Sequence, residues 1–95
     1  MAQPLTFLLI GAGRAGTAMS VTFHQEGAHC RGVLDIDPAV VRRFHEYIPD
    51  VPDLSAIRQW PAVDFILIAV NDDDLHRAGD MLRTRHSIAA NHVIH

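Results

Sequence analysis

Lysine is absent from this chain: its basic charge comes from eight arginines scattered along 95 residues, set against eleven acidic side chains for a net charge of −3. A nucleic-acid partner would need a basic face, so none is expected. The exclusive use of arginine reads as a compositional bias of the genome. Cys30 is the single cysteine, which excludes an internal disulfide and gives no sign of export into an oxidising compartment. It reads as a small buried hydrophobe at the start of a strand. The longest apolar run, Phe65 to Val70, covers six positions, whereas a membrane-spanning helix needs about 20. No basic region followed by a hydrophobic core marks the N-terminus as a signal peptide. Without a membrane or export signal, a cytoplasmic location is expected. Repeats and low-complexity tracts are missing too.

What is present suits one small domain over residues 1–95. A chain of this length buries about 60–65% of the surface exposed when unfolded, and 48% hydrophobic with 20% charged residues is ordinary for a globular sequence. The most telling stretch is Gly11-Ala12-Gly13-Arg14-Ala15-Gly16. Three glycines so spaced arise by chance in about one chain in thirty of this length, so context decides their meaning. An apolar run, Leu5 to Ile10, leads in and a helical pattern leads out, as in the phosphate-binding turn of a dinucleotide-binding domain. Gly11 permits the sharp turn, Gly13 lets the backbone approach a pyrophosphate, and Gly16 lets the helix lie close to the sheet.

Strands and helices alternate along the rest. The first strand spans Leu5–Ile10, and the following helix presents Ala15, Ala18, Met19, Thr22 and Phe23 as its expected inner face, with Gly27 as its stop. His29–Leu34 is the second strand. Asp37-Pro38 then caps a second helix with Val40, Val41, Phe44 and Ile48 inward. A short third strand is expected around Val51, and Asp53 caps a single turn carrying Leu54 and Ile57. The fourth strand, Asp64–Val70, is apolar enough to be covered on both faces. Asp72 caps a further helix facing inward with Leu75, Ala78, Gly79 and Leu82, and His92–His95 opens a fifth strand. The alternation demands parallel pairing, which implies a three-layer α/β doubly wound sheet of order 3-2-1-4-5. Because the chain stops inside that last strand, it reads as the N-terminal portion of a longer protein.

Asp35 lies nineteen residues after Gly16 at the end of the second strand. A carboxylate there accepts from the adenosine ribose hydroxyls and repels a 2′-phosphate, favouring NAD over NADP. The plainer alternative, that Asp35 only ends the strand, stays open. Arg42 and Arg43 on the second helix keep NADP open as well. Arg14, unfavourable at a helix N-terminus, becomes favourable when a pyrophosphate binds, although a tolerated exposed arginine explains it equally. Val70 and Asn71 fall at the sheet's carboxyl edge, where they border the nicotinamide ribose. The expected cofactor site is therefore Gly11, Ala12, Gly13, Arg14, Ala15 and Gly16 with Asp35, Val70 and Asn71. Asp72, Asp73 and Asp74 read as dipole-favouring residues of a first helical turn. The seven histidines show no ligand spacing, so no metal is expected. No residue has the partners of a general acid or base.

The GAGRAG turn, the ILIAV segment, the Asn-Asp-Asp start of the next helix and the terminal HVIH together resemble the N-terminal domain of Rossmann-like oxidoreductases. These are related to coenzyme-F420-dependent NADP oxidoreductases and pyrroline-5-carboxylate reductases. The resemblance implies a Rossmann-type fold, a dinucleotide partner, and a small-molecule substrate bound by a C-terminal region beyond this chain; a homodimer is compatible with it. Two departures stand out. Leu34-Asp35-Ile36-Asp37 replaces the Ser or Arg that many relatives carry for NADP, and Asn71 replaces a usual proline. Nucleotide-sensing domains of potassium uptake and channel regulators are similar as well, but they place a Gly-Asp pair in the third strand, and none occurs between Val51 and Pro61. Methyltransferases using S-adenosylmethionine carry an acid before the first glycine, where this chain has Leu9 and Ile10.

Overall fold

The computed structural model describes residues 4–70 and 92–94. Four strands, β1 (Thr6–Ile10), β2 (His29–Leu34), β3 (Phe65–Ile68) and β4 (His92–Ile94), pair in parallel in the order β2-β1-β3-β4. β3 and β4 are the expected fourth and fifth strands. Helix α1 (Arg14–Gln25) joins β1 to β2, and α2 (Pro38–Tyr47) follows β2. None of the helices in the described residues is long and apolar enough to cross a membrane.

Alternation along the strands builds two cores. Phe7 and Leu9 of β1, Val33 of β2, and Phe65 and Leu67 of β3 join Val41 and Phe44 of α2 and Ile48 at its C-cap on one face. Leu8, Ile10, Leu34, Ile66 and Ile68 point the other way, against Leu54, Trp60 and Val63. Each fully buried Leu or Phe contributes roughly 1.5–3 kcal/mol. A parallel sheet buried on both faces needs near-continuous apolar strands, and that is why alternation with polar residues is missing here.

The ends of the elements follow local chemistry. Asp37 accepts from the Ala39 N–H at 2.9 Å and Pro38 opens α2, while Asp53 accepts from the Ser55 N–H at 3.0 Å to cap the single turn Leu54–Ala56. α1 stops in a Schellman arrangement. Gly27, at φ 94°, donates to the His24 carbonyl, and Ala28 donates to that of Phe23. At the opposite end of the sheet from the glycine turn, Asp64 accepts from both the backbone N–H and the hydroxyl of Thr6, at 2.8 and 3.1 Å, tying the start of β1 to that of β3.

Three expectations change. The third strand shrinks to an isolated bridge between Val33 and Asp53 on the outer side of β2. Pro49 and Pro52 lack the N–H groups a ladder needs, so only the Pro52 carbonyl engages, accepting from Val33 at 3.0 Å. The fourth strand is shorter than Asp64–Val70, running Phe65–Ile68, although the Asp64 and Ala69 N–H groups on either side of it still donate to the Thr6 and Ile10 carbonyls at 3.0 and 2.8 Å. The inner face of α1 is rotated: Gly16 and Ser20 are buried and Phe23 half-buried, whereas Ala15, Ala18, Met19 and Thr22 are exposed. Close helix–sheet approach selects small residues rather than the most apolar ones. The helix expected after Asp72 and the acidic run Asp72, Asp73 and Asp74 lie outside the described residues.

Candidate functional site

The turn from β1 into α1 sits where the strand order reverses, between the carboxyl ends of β1 and β3. In open parallel sheets this is the crevice that receives ligands. Gly11 adopts φ 93°, and a Cβ there would lie 2.6 Å from the Ala69 carbonyl oxygen and 2.7 Å from Val70 Cγ1. Both conformation and space therefore demand glycine. At Gly16 a Cβ would collide with the Gly11 carbonyl oxygen and lie 3.1 Å from Ala69 Cβ, so α1 rests directly on its own turn.

Gly13 differs. Its φ of −69° is accessible to any residue, and a Cβ there would meet no atom of the described residues within 4 Å. Neither strain nor packing among the described residues calls for glycine at this position. The missing side chain leaves open space over the start of α1, where Gly13 is the N-cap and supplies no capping side chain, and where the first turn holds no acidic residue. The N–H groups of Arg14, Ala15 and Gly16 thus stay available to an anion, at the positive end of the helix dipole. A pyrophosphate fits such a cradle.

Asp35 is brought to this turn, and its carboxylate is already in use. Oδ2 accepts from the Ala12 N–H at 2.8 Å and Oδ1 from the Asp37 N–H at 2.9 Å. With the Gly11 N–H donating to the Leu34 carbonyl at 2.7 Å, these bonds lock the glycine turn to the end of β2. Each carboxylate oxygen has a second acceptor site, so the latch leaves room for a ribose hydroxyl.

Arg14 and Ala15 are exposed at the start of α1, and Val70 is half-buried beside Gly11. Asn71 lies outside the described residues. Thr17 and Tyr47, which the sequence did not single out, also shape the site, together with Arg43, one of the two arginines that it did. Thr17 donates its hydroxyl to the Ala12 carbonyl at 3.0 Å, stabilising the turn from one residue beyond the glycine motif. Arg43 and Tyr47 of α2 form the far wall of an open cleft of about 550 Å³, whose near wall includes Ala12, Gly13, Arg14 and Thr17. Nothing in local spacing signals that wall, since it depends on how α2 packs beside α1.

Cys30 takes no part. Burial pushes its thiol up to about 11, and its Sγ donates to the Gly32 carbonyl at 3.4 Å. A thiol so held is inert at neutral pH. Among the described residues no group of three or more His, Cys, Asp or Glu side chains could hold a metal ion.

The profile of the Rossmann-like domain family matches residues 2–95. Among solved structures, a protein of Bacteroides fragilis named as an NADP oxidoreductase, BF3122, is 15% identical with a TM-score of 0.70, over 97% of this chain and 35% of that one. The WlbA dehydrogenase of Chromobacterium violaceum, solved with NADH and UDP-GlcNAcA, is 21% identical with a TM-score of 0.62, over 85% of this chain and 24% of that one. At such identities the likeness is one of fold, and this chain spans only about a third and a quarter of the two proteins. A search of curated proteins finds no match.

Proposed function

The chain belongs to the Rossmann-like domain family, and from that premise we propose that it is the NAD(P)-binding part of an oxidoreductase. The observation that carries this reading is Gly13, a glycine that neither backbone strain nor packing among the described residues requires, set over an uncapped helix N-terminus. Backbone N–H groups of Arg14, Ala15 and Gly16 bind the pyrophosphate, and the latch from Asp35 to Ala12 keeps them in position. Asp35 offers its remaining acceptor sites to the adenosine ribose. Val70, against Gly11, borders the path toward the nicotinamide, with Asn71 next in the chain. When bound, the nicotinamide supplies hydride chemistry. In this reading the substrate is a small molecule held by a further region of a cytoplasmic protein, and this segment alone binds without turnover.

Calorimetric titration with NAD, NADP, ADP-ribose and S-adenosylmethionine tests the proposal. Saturable binding of the dinucleotides and of ADP-ribose is expected. Tighter binding of S-adenosylmethionine than of any dinucleotide would overturn it.

A further inference from the structure

Thr17 holds the two peptide units that flank Gly13. Its backbone N–H donates to the Gly13 carbonyl at 2.9 Å, which is the opening bond of an α-helix, and its hydroxyl donates to the Ala12 carbonyl at 3.0 Å. The hydroxyl bond is the uncommon one. Thr22 shows the ordinary habit of a helical threonine, folding its hydroxyl back to the Ala18 carbonyl four residues earlier, within the helix. The Thr17 hydroxyl reaches five residues back, past the N-cap, to a carbonyl outside α1.

Both peptide units are trans, and in a trans unit the C=O and the N–H point in opposite directions. By drawing both carbonyls toward the first turn, Thr17 turns the Gly13 and Arg14 N–H groups away from the body of the helix. Neither N–H donates to any group among the described residues. Glycine is the residue least able to fix the peptide units around it, so at Gly13 the constraint has to come from elsewhere. Ala12 is also held from its other side, where its N–H donates to Asp35 at 2.8 Å. We infer that Thr17 is a positioning residue of the pyrophosphate cradle: its hydroxyl, acting through the Ala12 carbonyl, aims the Gly13 N–H at the phosphates and adds it to those of Arg14, Ala15 and Gly16. The inference rests on the dinucleotide reading and names the side chain that orients its phosphate site.

Thr17→Val keeps the bulk of the side chain and the backbone bond but removes the hydroxyl, whereas Thr17→Ser keeps the hydroxyl. Calorimetric titration of both variants and the wild type with ADP-ribose, and NMR of their amide resonances as inorganic pyrophosphate is added, separate the outcomes. ADP-ribose is expected to bind Thr17→Val about fivefold more weakly, as loss of one hydrogen bond implies, and Thr17→Ser as tightly as the wild type. The Gly13 amide is expected to shift with pyrophosphate in the wild type and in Thr17→Ser and to stay in place in Thr17→Val, while those of Ala15 and Gly16 shift in all three. Undiminished affinity in Thr17→Val, a Thr17→Ser protein as weak as Thr17→Val, or a wild-type Gly13 amide that stays in place while those of Ala15 and Gly16 shift would overturn the inference and leave the dinucleotide reading intact. The last result is read on the wild type alone, so it decides even where Thr17→Val does not fold. Failure of the wild type to bind ADP-ribose would remove both readings together.

Discussion

Asp35 acts on the turn through contacts far apart in sequence, since Ala12 and Asp35 are separated by 23 positions. Replacing it by alanine leaves the Ala12 and Asp37 N–H groups without their acceptor, which costs about 1–3 kcal/mol when such groups are shielded from water. Urea denaturation of Asp35→Ala should show that loss, and a variant as stable as wild type would mean the latch contributes nothing. The place of an acid at the end of β2 was readable from its spacing after Gly16. Its grip on Ala12 was not, because spacing along a chain carries no information on which N–H groups converge in space. Cys30 makes a second prediction at this scale. Burial lifts its thiol from an ordinary 9.0 to about 11, so the folded protein keeps a proton that the unfolded chain releases from pH 9 upward. The thiol therefore leaves stability unchanged below pH 9 and lowers it as pH rises from 9 toward 11. Alkylation by iodoacetamide at pH 8 should be slower in the native than in the urea-unfolded protein; equal rates would contradict its burial.

The two helices show where hydrophobic patterning succeeds and where it fails. α2 buries Val41 and Phe44, with Ile48 at its C-cap, as their spacing implies, because large apolar side chains fill the gap between that helix and the sheet. α1 approaches too closely for such side chains at its start. Gly16 and Ser20 take the inner positions, and Phe23, edge-on to Phe7 and Phe65 at 5.7 Å from each, fills the wider space near its end. A pattern read from hydrophobicity selects Ala15, Ala18 and Met19 and misses the face, since contact distance there is set by side-chain volume. Ser20 exposes the compromise: it is fully buried, and its hydroxyl has no partner among the described residues. Ser20→Ala removes the orphaned hydroxyl and improves helix propensity, so it should raise stability by about 1 kcal/mol in chemical denaturation. A loss of similar size would mean that the hydroxyl has a partner. The third strand failed for a different reason: its prolines withhold donors, and only the Val33–Asp53 bridge marks its place.

At the scale of the whole molecule, the strand order outward from β1 was legible because parallel strands joined by right-handed crossovers leave few alternatives. That order places the glycine turn at the reversal point, with α1 and α2 on one face of the sheet and the Leu54–Trp60 segment on the other. Trp60, the sole tryptophan, is 1% exposed. Its emission should be blue-shifted in the native protein and should redshift on unfolding in step with the far-ultraviolet circular dichroism, since one sheet supports both cores. Separate transitions would mean that the two faces are held independently.

The glycines of the turn divide into two that the packing of the described residues requires, Gly11 and Gly16, and one, Gly13, that it does not. Gly16→Ala drives a methyl group into the Gly11 carbonyl and should cost about 1–3 kcal/mol of stability. Gly13→Ala places a methyl group in empty space at an unstrained φ, so stability should stay within about 1 kcal/mol of wild type. Titration of wild type and Gly13→Ala with ADP-ribose, alongside their thermal melts, is the most direct measurement. Binding by the wild type that falls about tenfold or more in a Gly13→Ala protein of unchanged melting temperature is the result predicted for a backbone cradle around pyrophosphate. Equal affinity in the two proteins, or no binding by the wild type, would contradict it.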